Sequence, residues 1–338
     1  MLYVTTRNNR DPFTVSRALG ENRGPEGGFF LPFHAPRFSR EEIEALAEKS
    51  FGQNVADVLN LLFSTRLTGW DVEFGIGRNP VRLEALRQKI WMAEPWHNPQ
   101  WDYEWVVRSL TRMICQEEAV PGDWIRLGVR IALLFGLFGQ LQKQGVEKAD
   151  ISVVSGDFTV PISAWYARSW GLPIGNIVCC CNENNRLWDL MVHGQMRTDG
   201  ISVPTAIPEA DVIIPAALER LIYEWGGIGE VERYLRTCAE GRTYAPSDSL
   251  KDRLRSGLFV SVVSSDRIES IIPGVCRTHG YTLSAQGALA YSGLLDYRAK
   301  TSQTRHGIVW AEKSPAQDAP LIAKILGVTQ DQLQSRFL

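Results

Sequence analysis

Between Ile151 and Cys181 the chain spells out a strand, a turn, a helix, a stop and a second strand. Ile151-Ser152-Val153-Val154 is an apolar run of strand length, Ser155-Gly156-Asp157 turns it, and Val160 to Trp170 has helical spacing. Gly171-Leu172-Pro173 then stops the helix, and Asn176 to Cys181 resumes as a strand. Two strands joined by a helix within about 30 residues run parallel, because the crossover returns the chain to the same end of the sheet. Parallel sheets are covered by helices on both faces, so the rest of the chain has to supply helices and further strands. The expectation is an α/β fold, a parallel or mixed sheet flanked by helices.

The flanking patterns fit that frame. Tyr3 to Thr6 reads as a short strand, Asp11 to Leu19 as a helix, and Gly24 to Pro32 as a glycine turn into an apolar strand closed by proline. Ser39-Arg40-Glu41-Glu42 is a capping box opening a helix to about Lys49, with further helices over 54–63, 80–90 and 106–115. Asp123 can cap a helix from Trp124 to Gln144 that is apolar nearly all round between Ile131 and Phe138, so it should be central. Asp211 to Pro215 reads as a strand end before a helix over 216–225. Helices follow at Ser265 to His279 and Ala285 to Arg298, then a strand at Gly307 to Trp310 and a helical tail over 318–326 and 330–337. Residues 1–120 thus form a mostly helical N-terminal region with short strands and residues 121–338 an α/β core, the two making one unit.

Charge and cysteine usage exclude several classes of function. A formal net charge of -2 over 338 residues, with no basic block, points away from nucleic acid and from an anionic membrane surface. The first residues lack the charged-then-apolar layout of a signal peptide and no apolar run reads as a bilayer span, so a cytoplasmic location is expected. The cysteines at 115, 179, 180, 181, 238 and 276 show no paired spacing with histidines, so neither a metal site nor a disulfide framework is expected. Cys179 to Cys181 extend the apolar run Ile177-Val178 and read as part of a buried strand.

Two stretches carry candidate chemistry. Ser155-Gly156-Asp157-Phe158-Thr159 is a strand-to-helix turn whose amide N–H groups and helix dipole could cradle an anion, although Asp157 brings an opposing charge into the same loop. Residues 96 to 105 bring together Trp96, Trp101 and Trp105 with His97, Asp102 and Glu104. Such a cluster is either a binding site or a set of aromatics filling a core.

Taken in order, several stretches resemble threonine synthase, a pyridoxal-phosphate (PLP) enzyme of fold type II. Tyr3-Val4-Thr5-Thr6-Arg7 resembles the family's Y-x-S-T-R, Glu26 to Pro32 its D-G-G-L-[YF]-x-P, and Asp123-Trp124-Ile125-Arg126 its N-W-x-R. Ser155 to Phe158 is similar to S-G-N-F-G, and Asn182-Glu183-Asn184-Asn185 to T-N-x-N-D. Asp211 to Glu224 and Gly280 to Tyr291 resemble two later family motifs. The resemblance implies a reduced fold-type II PLP-enzyme architecture.

The departures from the family fall at its cofactor site. The lysine of H-G-P-T-x-[AS]-F-K-D, which forms the Schiff base with PLP, falls on Glu104, and a carboxylate cannot form an imine. The phosphate loop becomes Ser-Gly-Asp-Phe-Thr, the hydroxyl expected near the pyridine nitrogen falls around Ala311 and Glu312, and the late D-P-H reads Ser284-Ala285-Gln286. The small cofactor-side lobe should lie between Met113 and Asp123, where the sequence offers only Ile114 to Gly122. A βαβ unit of about 30 residues cannot fit there.

The resemblance gathers Glu104, Asp157 and Glu312 at the former cofactor pocket, with Trp101, Trp105 and Trp310 nearby. Carboxylates and aromatic faces together suit a small amine- or amino-acid-like ligand. One reading is a PLP-independent enzyme working by carboxylate acid–base chemistry, with Glu104 and His97 as catalytic candidates and Trp101, Trp105, Ser155, Asp157, Asn182 and Glu312 as substrate-binding candidates. The alternative is a non-catalytic pseudoenzyme that binds a small molecule or a protein. A third reading is an authentic PLP-dependent threonine synthase, a phosphohomoserine lyase. The altered cofactor positions set the expectation at no PLP and the cysteine spacing at no metal, and a homo-oligomer is one assembly this reading allows.

Overall fold

The computed structural model describes residues 1–97 and 102–334. Three short strands open the chain, β1 (Leu2–Thr5), β2 (Asn8–Thr14) and β3 (Phe30–Pro32), antiparallel with β1 in the middle. The spacing from Asp11 predicts a helix, yet residues 8–14 form β2 and the helix α1 covers only Val15–Gly20. A turn at Thr6 and Arg7 folds the segment back onto β1 and sets Tyr3 opposite Phe13. Pro12, which has no N–H to donate, is tolerated because β2 is an edge strand.

The helix α2 (Arg40–Glu44) starts at the capping box between Ser39 and Glu42 that the sequence spells out. It is followed by α3 (Phe51–Phe63) and by α4 (Gly69–Ile76), a helix that the spacing does not announce. A second expectation fails at 80–90, where helical spacing gives way to a hairpin of β4 (Arg82–Leu86) and β5 (Ile90–Glu94). Gln88 and Lys89 both take positive φ, 59° and 57°, as a tight hairpin turn requires. Burial of Ile90, Met92 and Ala93 in the central sheet outweighs the helix propensity of the residues before them.

After α5 (Tyr103–Cys115) and α6 (Asp123–Lys143) come the strands β6 (Ala149–Val154) and β7 (Ile174–Cys181), joined by α7 (Thr159–Ser169). A ribbon of β8 (Met196–Arg197) and β9 (Thr243–Tyr244) precedes β10 (Phe259–Val262) and β11 (His306–Trp310). The strand end anticipated at 211–215 is irregular backbone, whose Asp211 accepts hydrogen bonds from Asn182, Asn184 and Thr205.

The central sheet runs β10-β7-β6-β11-β5-β4, parallel except for β4 against β5. This is the mixed α/β architecture that the sequence predicts. One face packs α3, α5, α6 and α7, and the other packs the helices Ser265–His279, Ala285–Thr301 and Ala319–Leu326. On that second face a Cβ at Gly293 would meet the Cys180 sulfur at 2.2 Å, so glycine alone allows the Ala285–Thr301 helix its close approach. Burial pushes the Cys180 thiol up to about 12 and Cys181 to about 11, and Cys179 is shifted the same way.

The helix α6 is the most deeply enclosed element. It is long and apolar enough to cross a membrane by length and composition, contrary to the expectation that no such run exists, but 89% of its apolar window is buried inside the fold. Arg126 and Arg130 interrupt its apolar sequence one turn apart, which places both guanidiniums on one face of the helix.

Between β6 and β11 the chain changes direction across the sheet. From β6 it proceeds outward to β7 and β10, whereas β11 pairs on the other side with β5. Such a switch point leaves a crevice at the carboxyl ends of the two strands, because the connections leaving them diverge.

Candidate functional site

A cavity of about 570 Å³ occupies that crevice. Its floor is the turn after β6, Ser155-Gly156-Asp157; one wall is α6, with Asp123, Arg126 and Arg130; another carries Gln286 and Glu312, the latter two residues beyond β11. The turn is tightly specified. Gly156 has φ of 43°, and a Cβ there would lie 2.8 Å from the Glu209 carbonyl oxygen. Asp157 caps α7 from inside the loop, accepting from the Thr159 amide at 2.9 Å and the Thr159 hydroxyl at 2.6 Å. An amide that a bound phosphate would use is therefore already committed to a carboxylate.

Each of the other predicted acids meets an arginine. Glu312 accepts from Arg130 Nε at 2.5 Å and Nη2 at 3.0 Å, with the Trp310 indole N–H adding a third bond at 2.9 Å. The Gln286 amide oxygen fixes the backbone here by accepting from Glu312 N at 2.6 Å and Lys313 N at 3.1 Å. Glu104, in the first turn of α5, is paired with Arg126. Asp123 is paired with the fully buried Arg220, and Glu209 lies 3.9 Å from Lys313, which is itself bound to Asp318 at 2.7 Å. Burial opposes the charge on Arg130, but its negative neighbours, Glu312 foremost, more than reverse this and its pKa is raised. No lysine lines the cavity among the described residues.

The predicted residues therefore fall into groups. Ser155, Asp157 and Glu312 line the cavity, and Glu104 reaches its rim through Arg126. Trp310 is buried behind Glu312. Trp105 lines a different depression, beside Asp102, Arg108 and Arg112. Asn182 is fully buried and spent on structure, donating to Thr205 and Asp211 and accepting from the Asn184 amide. Trp101 lies outside the described residues. Arg126 and Arg130 pair with Glu104 and Glu312, so two of the three predicted carboxylates meet cations supplied by the chain itself. The residues that sequence reasoning passed over are Arg126 and Arg130 as cavity wall, Gln286 and Glu209. The signal for the arginines was present as a four-residue spacing of cations in an otherwise apolar helix.

His97 is elsewhere. It lines a second depression of about 710 Å³ with Arg82, Glu84, Trp91 and Gln140. Its Nδ1 is 3.7 Å from the Glu94 carboxylate, whose other oxygen accepts from the Tyr281 hydroxyl at 2.6 Å. Burial pushes the Glu94 carboxyl up to about 7, with the Tyr281 bond and Arg82 opposing. Burial, helped by Arg82, lowers the His97 pKa. His97 thus lines this second depression, whereas Glu104 is paired with Arg126 of the first cavity.

Comparison with known proteins places this geometry. Residues 2–75 match the family model for the threonine synthase N terminus. A threonine synthase from Eremothecium gossypii is 25% identical over 146 residues, a stretch spanning 39% of this chain and only 28% of that enzyme. The PLP-bound threonine synthase of Brucella melitensis superposes with a TM-score of 0.86 over 97% of this chain and 92% of its own, at 18% identity. The yeast enzyme gives 0.82 over 96% and 90%, at 14% identity. The fold is that of the threonine synthases. It is the fold-type II architecture that the ordered motifs imply, and its cavity lies at the sheet's switch point.

Proposed function

We propose that this chain is a threonine synthase-like protein that has left PLP catalysis and binds a small amino-acid-like molecule in the cavity between α6, the β6–α7 turn and the segment after β11. One observation carries the reading: the residue that the family motif gives to the Schiff-base lysine is Glu104, and it is held in an ion pair with Arg126. The other cofactor positions agree with it. The Thr159 amide of the phosphate loop is bound to Asp157, the resemblance puts the pyridine-nitrogen hydroxyl around Ala311 and Glu312, and only seven residues, 116–122, link α5 to α6 where the resemblance would insert the small lobe. These residues do not fit PLP. A cofactor phosphate would meet Asp157, and its aldehyde would find no amine.

An acid–base enzyme built on Glu104 and His97 is less favoured, because Glu104 is held in an ion pair with Arg126 while His97 lines a separate depression. Binding without turnover asks less of the site: a bounded cavity, oriented polar groups and pairing for the ligand's charges. The deciding experiment is to incubate the purified protein with PLP, reduce with borohydride and map the product by peptide mass spectrometry. We expect no PLP-modified lysine beyond the background on exposed lysines. Stoichiometric labelling of a single lysine, with threonine formed from phosphohomoserine, would overturn the proposal.

A further inference from the structure

Two groups in the cavity keep hydrogen-bonding or charge capacity that their neighbours do not use up. Arg130 is the first. Its side chain is 9% exposed, and Glu312 takes its Nε and Nη2, yet Nη1 has no hydrogen-bond partner among the described residues. A guanidinium carries five N–H donors in a planar fork. With one edge on Glu312, the end formed by Nη1 and the second N–H of Nη2 remains, a pair of parallel donors matched to a carboxylate. Leaving a buried charged donor unmade is costly, and a residue lining a cavity can recover that cost from a ligand.

Asp157 is the second. It makes no ion pair among the described residues, and its hydrogen bonds come from the neutral amide and hydroxyl of Thr159. The cavity wall therefore carries a guanidinium with one unbonded nitrogen and, near it, a carboxylate held only by neutral donors, a complement to a zwitterion. It also disfavours dianions, because four carboxylates line it, Asp123, Asp157, Glu209 and Glu312, against two guanidiniums.

Resting on the reading of this cavity as a ligand site, we infer that Arg130 is its specificity anchor, binding the carboxylate of an unphosphorylated α-amino acid whose ammonium group sits by Asp157, and that phosphorylated amino acids are rejected. The site is thereby turned from phosphate recognition to recognition of a free amino acid. Nothing is transferred or oxidised; the event is binding.

The experiment uses the full chain in calorimetric titration and thermal-shift assays. The standard L-amino acids are screened first, followed by a matched set: L-serine, O-phospho-L-serine, ethanolamine, which lacks the carboxylate, and 3-hydroxypropionate, which lacks the ammonium group. At least one free amino acid should raise the melting midpoint, while phosphoserine, ethanolamine, 3-hydroxypropionate and inorganic phosphate should not. Because Arg130→Met alone would strand Glu312, the variant used is Arg130→Met with Glu312→Met, which removes the buried pair as a unit. It should bind that amino acid at least about tenfold more weakly, a change of about 1.4 kcal/mol. Asp157→Asn keeps the cap on α7 through its amide oxygen; it should weaken the amino acid similarly and admit phosphoserine. Unchanged affinity in both variants overturns the anchor while leaving the cavity a ligand site, and tighter binding of phosphoserine than of serine overturns the discrimination. PLP fixed on a lysine overturns the underlying reading itself.

Discussion

Replacing Glu94 with glutamine should make the protein less sensitive to pH. Glu94 is 3% exposed at the end of β5; one oxygen accepts from Tyr281, and the other has no hydrogen-bond donor among the described residues, with Arg82 at 4.0 Å and His97 at 3.7 Å. Its carboxyl ionises near 7 in the fold against an ordinary value of 4.5, with burial as the main cause. The folded state therefore holds a proton that the unfolded chain has released, and stability falls as pH rises through this window. The contribution is fully present below 4.5 and is lost once pH has passed about 7. At about 1.4 kcal/mol per pH unit, the interval corresponds to about 3 kcal/mol. Glutamine is neutral throughout and keeps the acceptor for Tyr281. Urea unfolding followed by tryptophan fluorescence should give Glu94→Gln and the parent similar stabilities near about pH 5, and an advantage for the variant of up to about 3 kcal/mol near about pH 8. His97, whose pKa burial lowers, is common to both proteins. A difference between the two that stays constant from acid to alkaline conditions would refute the reasoning.

The two ion pairs at the cavity should separate sharply in the same assay. Glu312→Ala strands Arg130 in a site where both side chains are under one-fifth exposed, and should cost about 3–5 kcal/mol. Glu104→Gln breaks a pair whose members are 37% and 44% exposed, and should cost no more than about 1 kcal/mol. Gly156→Ala places a side chain on backbone at φ 43° and against the Glu209 carbonyl, so a loss of about 1–3 kcal/mol is expected in the unfolding midpoint. In a thiol titration of native protein, Cys115, Cys238 and Cys276 should react first, while Cys179, Cys180 and Cys181, buried and held as thiols, should wait for denaturant.

How far the sequence could be read depended on whether the signal was local. The βαβ unit was legible because its strands are uninterrupted apolar runs of the right length, and α6 because its apolar sequence continues for several turns. The hairpin over 82–94 was not, since Leu83 to Lys89 are good helix formers and only the neighbouring strand β11, more than 200 residues later, makes a strand the better choice. In the cavity, the motif order placed Ser155, Asp157 and Glu312 on the wall. The arginines escaped notice because charge in a helix is normally read as its solvated side, and nothing within α6 says that Glu104 and Glu312 wait opposite. Asn182 illustrates the converse: its motif suggests ligand contact, while its bonds to Thr205 and Asp211, some 20 to 30 residues on, make it a brace.

The crevice between β6 and β11 owes its existence to the directions in which the chain leaves two neighbouring strands, α7 to one face and the helix Ala319–Leu326 to the other. An exposed rim side chain such as Glu104 can be exchanged at little cost, whereas a buried one such as Glu312 can change only together with its partner. A protein of this design can lose a chemistry and keep the vessel, and selection can then refit that vessel one contact at a time.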